Sequence, residues 1–280
     1  MTTLREAAHA RMPVERTWAQ VFIAASALAL LMVALVTTFT HVIAPRLFSH
    51  YERLPAMASA PRVTTTKKGT TADPLNVALV GTGEEIERAF KAAGWTIADS
   101  LSRASDIGIA KSVLLNRPDS SAPVSNLFLL GRKQDVAFER EVGSSARHRH
   151  HVRLWLYPSV KYDGRDLWIG DASYDASAGM SHRALRPTHH IAPDIDDERD
   201  GIELALARVG QVAATFRVTG IGLRVDGHNA EGDRFYTDGE LRVIVISAGN
   251  SAMAAPVDPG VPPLVASKDW IWTKVPRFLK

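Results

Sequence analysis

The sequence predicts an α+β domain, with mixed α/β as the alternative class, tethered to one N-terminal transmembrane helix. One observation behind this prediction is an uncharged stretch from Trp18 to Ala44. A second is that capped helical segments are interspersed with several strand-like segments, which is typical of a mostly antiparallel or mixed sheet. A third is the composition, with 46% hydrophobic and 22% charged residues, which excludes collagen and low-complexity disorder.

Composition sets further limits on function. The 280-residue chain contains no cysteine, which excludes disulfides, thiolate metal ligands and cysteine nucleophiles. Its formal net charge of +3 is too small to indicate binding to nucleic acid, so we expect no nucleic-acid partner.

The uncharged stretch predicts a transmembrane helix over residues 18–44. The 19 residues of Val21–Phe39 are almost all apolar and would rise about 28 Å as a helix, close to the roughly 30 Å hydrocarbon layer of a bilayer. Trp18 lies at one end of the stretch, where its ring favours the membrane–water interface. Pro45 and Arg46 lie at the other end, where they supply a helix stop and a charge. The run is longer than the apolar part of a signal peptide, so we predict an uncleaved anchor over a cleaved signal sequence.

The arginines around this helix predict its orientation. Arg5, Arg11 and Arg16 precede it, whereas Arg46 and Arg53 follow it. Because positive residues favour the cytoplasmic side, we expect residues 1–17 in the cytoplasm of a bacterial inner membrane and the domain in the periplasm.

Changes in composition divide the rest of the chain. Residues 55–73 are rich in Ala, Thr, Pro and Lys, which predicts a linker over residues 45–72. Residues 73–247 are long enough for one globular domain. Residues 248–280 predict a Pro-rich tail that ends in tryptophans and cations; this tail could rest on an anionic membrane or pack on the domain.

The first half of the domain predicts a strand, a capped helix and a second helix. The apolar run 75–80 indicates a buried strand. Thr82 with Glu85 three residues later forms a capping-box pattern, and Gly94 ends the following helix. A second apolar period predicts a helix over 107–114.

The second half predicts strands around one more helix. The predicted strands are 125–130, 135–140, 148–157, 166–175 and 212–218. The helix begins at Asp194 and ends at Gly210. Asp238-Gly239 lies between two more extended segments, 234–237 and 241–246, and predicts a hairpin turn.

Gly81 to Ile86 follows a strand and resembles a dinucleotide-binding loop. The third glycine of that motif is replaced by Ile86, and Glu84 and Glu85 would repel a pyrophosphate at the helix start. Because acids favour a helix N-terminus, we interpret the segment as a turn and a cap without a nucleotide role.

A cationic strand offers a candidate anion site. Alternate residues of a strand share a face, so Arg149, His151 and Arg153 lie together and could bind a phosphate. A histidine in this row predicts stronger binding as the pH falls through about 6.5. The alternative is a structural ion-pair network with the acids of residues 196–200.

A second group of residues offers an alternative metal site. His148 and His150 share the other strand face, and His189 with His190 precedes the acidic helix start at Asp194. Imidazole and carboxylate ligands suit a divalent metal, although the spacing matches no established zinc motif and Asp194 is also a good N-cap.

Motifs of other enzyme classes are missing from the sequence. Gly179 to Arg183 lacks the closing glycine of a nucleophile elbow, and there is no phosphate-loop lysine motif and no paired-histidine zinc helix. The catalytic residues, if the chain has any, therefore stay unassigned.

Several segments in one order resemble the LssY-like C-terminal domain family over residues 73–247. They are residues 73–82, 122–135, the two His-rich segments and residues 232–239. The resemblance implies a domain without an established activity. In the namesake architecture this domain follows membrane segments similar to DedA and lipid-phosphatase proteins, which implies envelope or phospholipid-related work. This chain has a single anchor and no such segments, so phosphatase activity is not transferred to it.

Together these inferences predict a binding or accessory module for an envelope component. Its expected partners are the lipid bilayer and an anionic lipid headgroup or phosphate-bearing ligand, with no cofactor. The alternative is a hydrolase that uses a divalent metal at the clustered histidines to attack a phosphate ester.

Overall fold

A computed structural model describes residues 17–98, 125–143, 145–182, 187–219, 226–249, 257–268 and 270. The chain divides into two compact units, Met1–Phe48 and Ser49–Lys280. The helix predicted over 107–114 lies outside the described residues.

The first unit contains the predicted apolar helix. Helix α1 (Trp18–Thr38) is followed by a π-helical turn (Phe39–Ile43) and helix α2 (Ala44–Tyr51). The continuous segment Trp18–Phe48 has a mean hydropathy of 2.4, and none of its most apolar window is buried. It is therefore long and apolar enough to cross a bilayer. Pro45 does not end it, because a proline is tolerated in the first turn of a helix.

The second unit contains the strands and further helices. The strands are β1 (Val63–Thr65), β2 (Thr71–Pro74), β3 (Val77–Val80), β4 (Thr96–Ile97), β5 (Phe128–Leu129), β6 (Arg132–Lys133), β7 (Val136–Val142), β8 (Ser145–Tyr162), β9 (Arg165–Met180), β10 (Pro187–Ile191), β11 (Val212–Val218), β12 (Asp226–His228), β13 (Arg234–Tyr236) and β14 (Leu241–Ile246). In the described residues these helices include α3 (Gly83–Ala92), α4 (Ile195–Arg208), a 3-10 helix (Pro55–Ser59) and a short helical segment over residues 263–268.

The main sheet confirms the predicted fold class. Its strand order is β11-β14-β3-β9-β8-β7-β4, and β10 pairs with the far end of β9. The β14–β3 pair is parallel and the other described pairs in this sheet are antiparallel, so the sheet is mixed. Two smaller sheets have the strand orders β2-β1-β5-β6 and β12-β13.

Helices α3 and α4 cover one face of the main sheet, which we call the helix face. The core on this side includes Ile86, Phe90, Val152, Leu154, Ile202 and Leu206. The opposite face is covered by the 3-10 helix and the β2-β1-β5-β6 sheet. The core on this side includes Met57, Leu129, Trp155, Ile169, Phe216 and Val243. Because β8 alternates, Val152 and Trp155 serve different cores.

The domain includes parts of the segments predicted as linker and tail. Met57 is fully buried in the core, and β1 lies within the predicted linker 45–72. On the tail side, Val265 is fully buried and Arg53 donates to the carbonyl oxygen of Gly260 at 2.9 Å. The folded unit is therefore wider than residues 73–247.

The hairpin predicted at Asp238-Gly239 is wrong. Strand β13 pairs with β12, and β14 lies between β11 and β3. The Asp238 carboxylate accepts two hydrogen bonds from Arg199 of α4, at 2.9 and 3.2 Å, and its N–H donates to Asp196 at 2.7 Å. These contacts hold the connection against the start of α4, where it serves as a crossover between sheets.

Candidate functional site

The strand alternation of β8 places Arg149, His151 and Arg153 on one sheet face, opposite the helix face. All three side chains are buried. Carboxylates from three neighbouring strands surround them, and we call the whole set the buried polar network. Its members are Asp73, Glu139, Arg149, His151, Arg153, Asp171, Ser173 and Asp175.

Arg149 lies between two carboxylates. Its Nη1 donates to Glu139 Oε2 of β7 at 3.0 Å, and its Nε donates to Asp175 Oδ2 of β9 at 2.7 Å. A charged group can be buried when it is paired in this way.

Arg153 is held by a second set of acceptors. Its Nη1 donates to Asp171 Oδ2 at 3.1 Å and to Asp73 Oδ2 at 3.4 Å, and its Nε donates to the carbonyl oxygen of Ser125 at 2.8 Å. An external anion at this face would have to compete with these carboxylates. Anion binding by Arg149, His151 and Arg153 stays a prediction.

His151 lies between the two arginines. Its Nε2 is 2.8 Å from Ser173 Oγ, and its Nδ1 is 3.6 Å from an oxygen of Asp175. Burial lowers the pKa of His151 to about 3, and the neighbouring arginines act in the same direction against the attraction of Asp175. His151 is therefore neutral near pH 6.5, so it cannot supply the pH dependence that the sequence predicted.

The carboxylates of the network have divergent acidities. Burial raises the pKa of Asp171 to about 7 and also raises the pKa of Asp73, although Arg153 opposes both shifts. Burial alone would raise the pKa of Asp175, but His151, Arg149 and the other positive groups around it lower that pKa to about 2. Arg153 therefore lies beside Asp171, which takes up a proton near neutral pH, whereas Arg149 keeps Asp175 as an anion.

The acids of residues 196–200 have other partners than the sequence predicted for them. Arg199 of α4 contacts Asp196 at 3.2 Å and Asp200 at 2.8 Å. Glu198 points to the sheet, where its Oε2 is 2.6 Å from His150 Nδ1. The ion-pair interpretation therefore describes Arg149 and Arg153, but with acids from strands.

The residues of the predicted metal site have different surroundings. His148 and His150 lie on the helix face, where Tyr174 stacks on the His148 ring and packs at a tilt against the His150 ring. His189 acts electrostatically on His151 and Asp175 on the opposite face. Asp194 caps α4 and accepts from the N–H groups of the first turn.

His190, the remaining member of that set, lies in a different constellation. His182, His190 and Asp233 each offer one ligand atom, and these atoms lie within 4.8 Å of one another. His190 Nδ1 is 2.6 Å from Asp233 Oδ1, and His182 Nε2 is 3.6 Å from the same oxygen. We call this set the His–His–Asp group.

Three separate segments position this group. His182 follows β9, His190 lies on the paired strand β10, and Asp233 precedes β13. The N–H of His182 donates to the carbonyl oxygen of Glu231 at 3.1 Å, which holds the end of β9 against the turn before β13.

Asn229 organises that turn and links it to the buried polar network. Its Oδ1 accepts from the N–H of Asp233 at 2.9 Å, and its Nδ2 donates to Asp73 Oδ1 at 3.3 Å. The N–H of Ile191 donates to Asp233 Oδ2 at 3.2 Å. Asn229 thus holds the backbone of Asp233, and Ile191 holds one oxygen of its carboxylate.

Sequence reasoning did not find this group. Asp233 is 43 residues beyond His190 in the chain. Asp233 comes close to His190 only because the β12–β13 hairpin lies against β10. The sequence contains no local signal for this tertiary contact. The pairing of β9 with β10 could have suggested that His182 and His190 are neighbours.

The segment from Gly81 to Ile86 forms the predicted turn and cap. Thr82 Oγ1 accepts from the N–H of Glu85 at 3.2 Å, and Glu85 Oε2 accepts from the N–H of Thr82 at 2.8 Å. Arg165 donates to the same Glu85 oxygen at 2.6 Å. The capping box is confirmed.

Fold and site together define a class: an α+β domain with a mixed sheet and a charged, buried network on one face, in a chain that begins with an apolar helix of membrane-spanning length. A family model described as LssY C-terminus matches residues 57–241, about two thirds of the chain. The chain therefore belongs to the LssY C-terminus family. No curated protein and no solved structure matches the chain.

Proposed function

We propose that the chain is a membrane-tethered binding or accessory module for a phosphate-bearing component of the bacterial envelope. The apolar helix Trp18–Phe48 supports the tether. The excess of arginines before the helix supports a cytoplasmic N-terminus and a periplasmic domain.

The observation that carries the proposal is the use of the histidine- and arginine-rich segments within the fold. His150 is paired with Glu198, and Arg149 and Arg153 are paired with buried carboxylates. Groups held in this way build a rigid scaffold more readily than a metal-dependent active site, which needs ligands that share one ion. This argues against metal-dependent hydrolysis at these residues.

The proposed anion contacts are Arg149, His151 and Arg153, with Arg153 as the principal charge. When Asp171 becomes protonated, Arg153 loses that counter-charge, so an anion can replace it. Binding should strengthen as the pH falls below about 7.

The test uses the full chain in phosphatidylcholine nanodiscs. Inorganic phosphate, glycerol phosphate and phosphatidylglycerol in the disc are compared by thermal shift from pH 5.5 to 8. We expect an increase in melting temperature that grows toward acid pH and is lost in Arg153→Gln. A response to phosphatidylglycerol alone identifies a lipid headgroup, whereas a response to all three identifies free phosphate chemistry.

Two results would contradict the proposal. One is a melting temperature unchanged by any of the anions, and the other is a stabilisation that Arg153→Gln retains in full. If the variant unfolds, competition between phosphate and sulfate on the unaltered chain measures specificity instead.

A metal-dependent phosphate-ester hydrolase is the second candidate. The specific observation in its favour is the His–His–Asp group, in which the His182 side chain is 63% exposed. Turnover of an aryl phosphate ester that is abolished by a chelator and by His182→Ala would favour the hydrolase over the binding module.

A further inference from the structure

The His–His–Asp group combines ligand chemistry with access from solvent. Two imidazole nitrogens point at one oxygen of Asp233, at 2.6 and 3.6 Å. The side-chain exposure decreases from 63% at His182 to 18% at His190 and 5% at Asp233. An ion can therefore enter past His182 and reach two ligands that the fold holds in place.

The orientation of His190 is fixed by its neighbours. A Cβ atom added at Gly179 would lie 2.8 Å from His190 Nε2 and 3.1 Å from its Cδ2, so the ring lies directly against the backbone of β9. Nε2 faces this backbone, and Nδ1 faces Asp233. The ligand atom of His190 is therefore Nδ1.

Asp233 has the outer contacts that a metal ligand needs. One of its oxygens faces the histidines, and the other accepts the N–H of Ile191. Asn229 holds the backbone of Asp233. Partners of this kind orient a ligating carboxylate and raise the affinity of a site.

We propose that His182, His190 and Asp233 bind one divalent first-row transition-metal ion, with Zn²⁺ as the best match. Zinc takes imidazole nitrogen and carboxylate oxygen at about 2.0–2.2 Å, and three protein ligands leave a fourth position for water or a ligand. A tetrahedral ion holds its ligand atoms roughly 3.3 Å apart. His190 Nδ1 and Asp233 Oδ1 must therefore separate by about 0.7 Å as the ion replaces the proton between them.

The proposal is independent of the anion contacts at Arg149, His151 and Arg153. Two neutral imidazoles and one carboxylate leave a bound divalent ion with a net charge of +1, and the open position would attract a phosphate oxygen. Metal binding and anion binding can nevertheless be measured separately, so one can fail while the other holds.

The test uses the full chain in mild detergent, purified without a polyhistidine tag and stripped with a chelator that is then removed. Titration calorimetry with Zn²⁺ gives affinity and stoichiometry, and the visible absorption of bound Co²⁺ reports the ligand field. We expect one ion per chain. His182→Ala should weaken Zn²⁺ binding at least about tenfold without changing the melting temperature of the metal-free protein, because this side chain is exposed.

Two further variants and one control sharpen the result. Asp233→Asn removes the anionic ligand, and Gly179→Ala displaces the His190 ring; both should weaken binding. His50→Ala removes an exposed histidine outside the group and should leave affinity unchanged. The proposal is overturned if the unaltered chain binds no Zn²⁺ or Co²⁺, or if His182→Ala binds them as tightly as the unaltered chain.

Discussion

His151 and Asp171 show how burial changes the charge of the network. Each is a titratable group whose burial favours the neutral form, yet the shifts have opposite signs because one charged form is a cation and the other an anion. At neutral pH Asp175 is therefore an anion beside Arg149, whereas Asp171 beside Arg153 is close to its own pKa.

These two residues predict opposing effects of pH on stability. The pKa of His151 is about 3 in the folded chain, below the ordinary value of 6.5, so its contribution to the unfolding free energy is lost as the pH falls from about 6.5. The pKa of Asp171 is about 7, above the ordinary 3.8, so its contribution is lost as the pH rises from about 4 toward 7. Between pH 4 and 6.5 the two slopes oppose each other.

Single substitutions should separate the slopes. In His151→Gln the unfolding free energy should fall with rising pH more steeply than in the unaltered chain, because only the Asp171 slope remains. In Asp171→Asn the unfolding free energy should instead rise more steeply with rising pH, because only the His151 slope remains. Denaturant titrations of the full chain in detergent at pH 5, 6 and 7 measure this. Asp163→Asn, in an exposed turn, is the matched control and should keep the original dependence. Parallel curves for all four proteins would contradict the assignment.

The sequence could predict part of the site at this scale. Period two on β8 correctly groups Arg149, His151 and Arg153. Their partners on β9 could not be derived, because the register changes between Leu156 and Lys161: Tyr162 pairs with Arg165, but Arg153 pairs with Asp171. If the register at the turn continued along β8, Arg153 would pair with Tyr174 instead of Asp171. The register thus shifts by an odd number of residues, and such a shift exchanges the side chains of the two sheet faces.

At the scale of elements, two Asp-Gly pairs show what local sequence can predict. Asp163 and Gly164 have φ values of 49° and 76° and join β8 to β9, as expected for a two-residue hairpin turn. Asp238-Gly239 has the same residues but forms a crossover, because Arg199 binds the Asp238 side chain. The dipeptide indicates a turn, and only tertiary contacts decide whether the flanking strands pair.

The N-terminal cap of α3 should contribute measurably to the stability of the fold. Thr82→Ala removes the acceptor for the N–H of Glu85 and should lower the unfolding free energy by about 1 kcal/mol. Chemical denaturation of the full chain followed by tryptophan fluorescence measures the change. Thr70→Ala, at an exposed position, should have little effect. Equal stability of the Thr82 variant and the unaltered chain would show that the cap contributes nothing.

Alanine substitutions at two glycines in different elements should have opposite effects on the stability of the fold. A Cβ at Gly170 of β9 would lie 2.4 Å from the carbonyl oxygen of Arg153 and 2.7 Å from Leu154 Cδ2, so Gly170→Ala should destabilise the fold by about 1–3 kcal/mol. A Cβ at Gly201, inside α4, meets nothing within 4 Å, so Gly201→Ala should stabilise by about 0.5–1 kcal/mol. The same denaturant titration compares both variants, and effects of equal sign would refute the packing argument.

At the scale of the whole molecule, the folded unit begins soon after the apolar helix. Leu54, Met57 and Ala60 contribute to the core beside the main sheet. Cleavage at Ala58-Ser59-Ala60, the small-residue site after the helix, would remove Leu54 and Met57 from that core. Loss of two buried apolar side chains typically costs several kcal/mol. We therefore expect an uncleaved anchor.

We expect a chain that keeps its N-terminus and spans the membrane once, and the leading arginines predict a domain outside the cytoplasm. Intact-mass analysis of the purified protein should show no loss of the first 60 residues, and carbonate extraction should leave the chain in the membrane fraction.

A reporter that is active only in the periplasm, fused after Lys280, should be active, and a reporter that is active only in the cytoplasm should be silent. The reverse pattern would overturn the orientation that the three leading arginines predict. Release by carbonate would overturn the span, and a mass that begins after Ala60 would overturn the anchor.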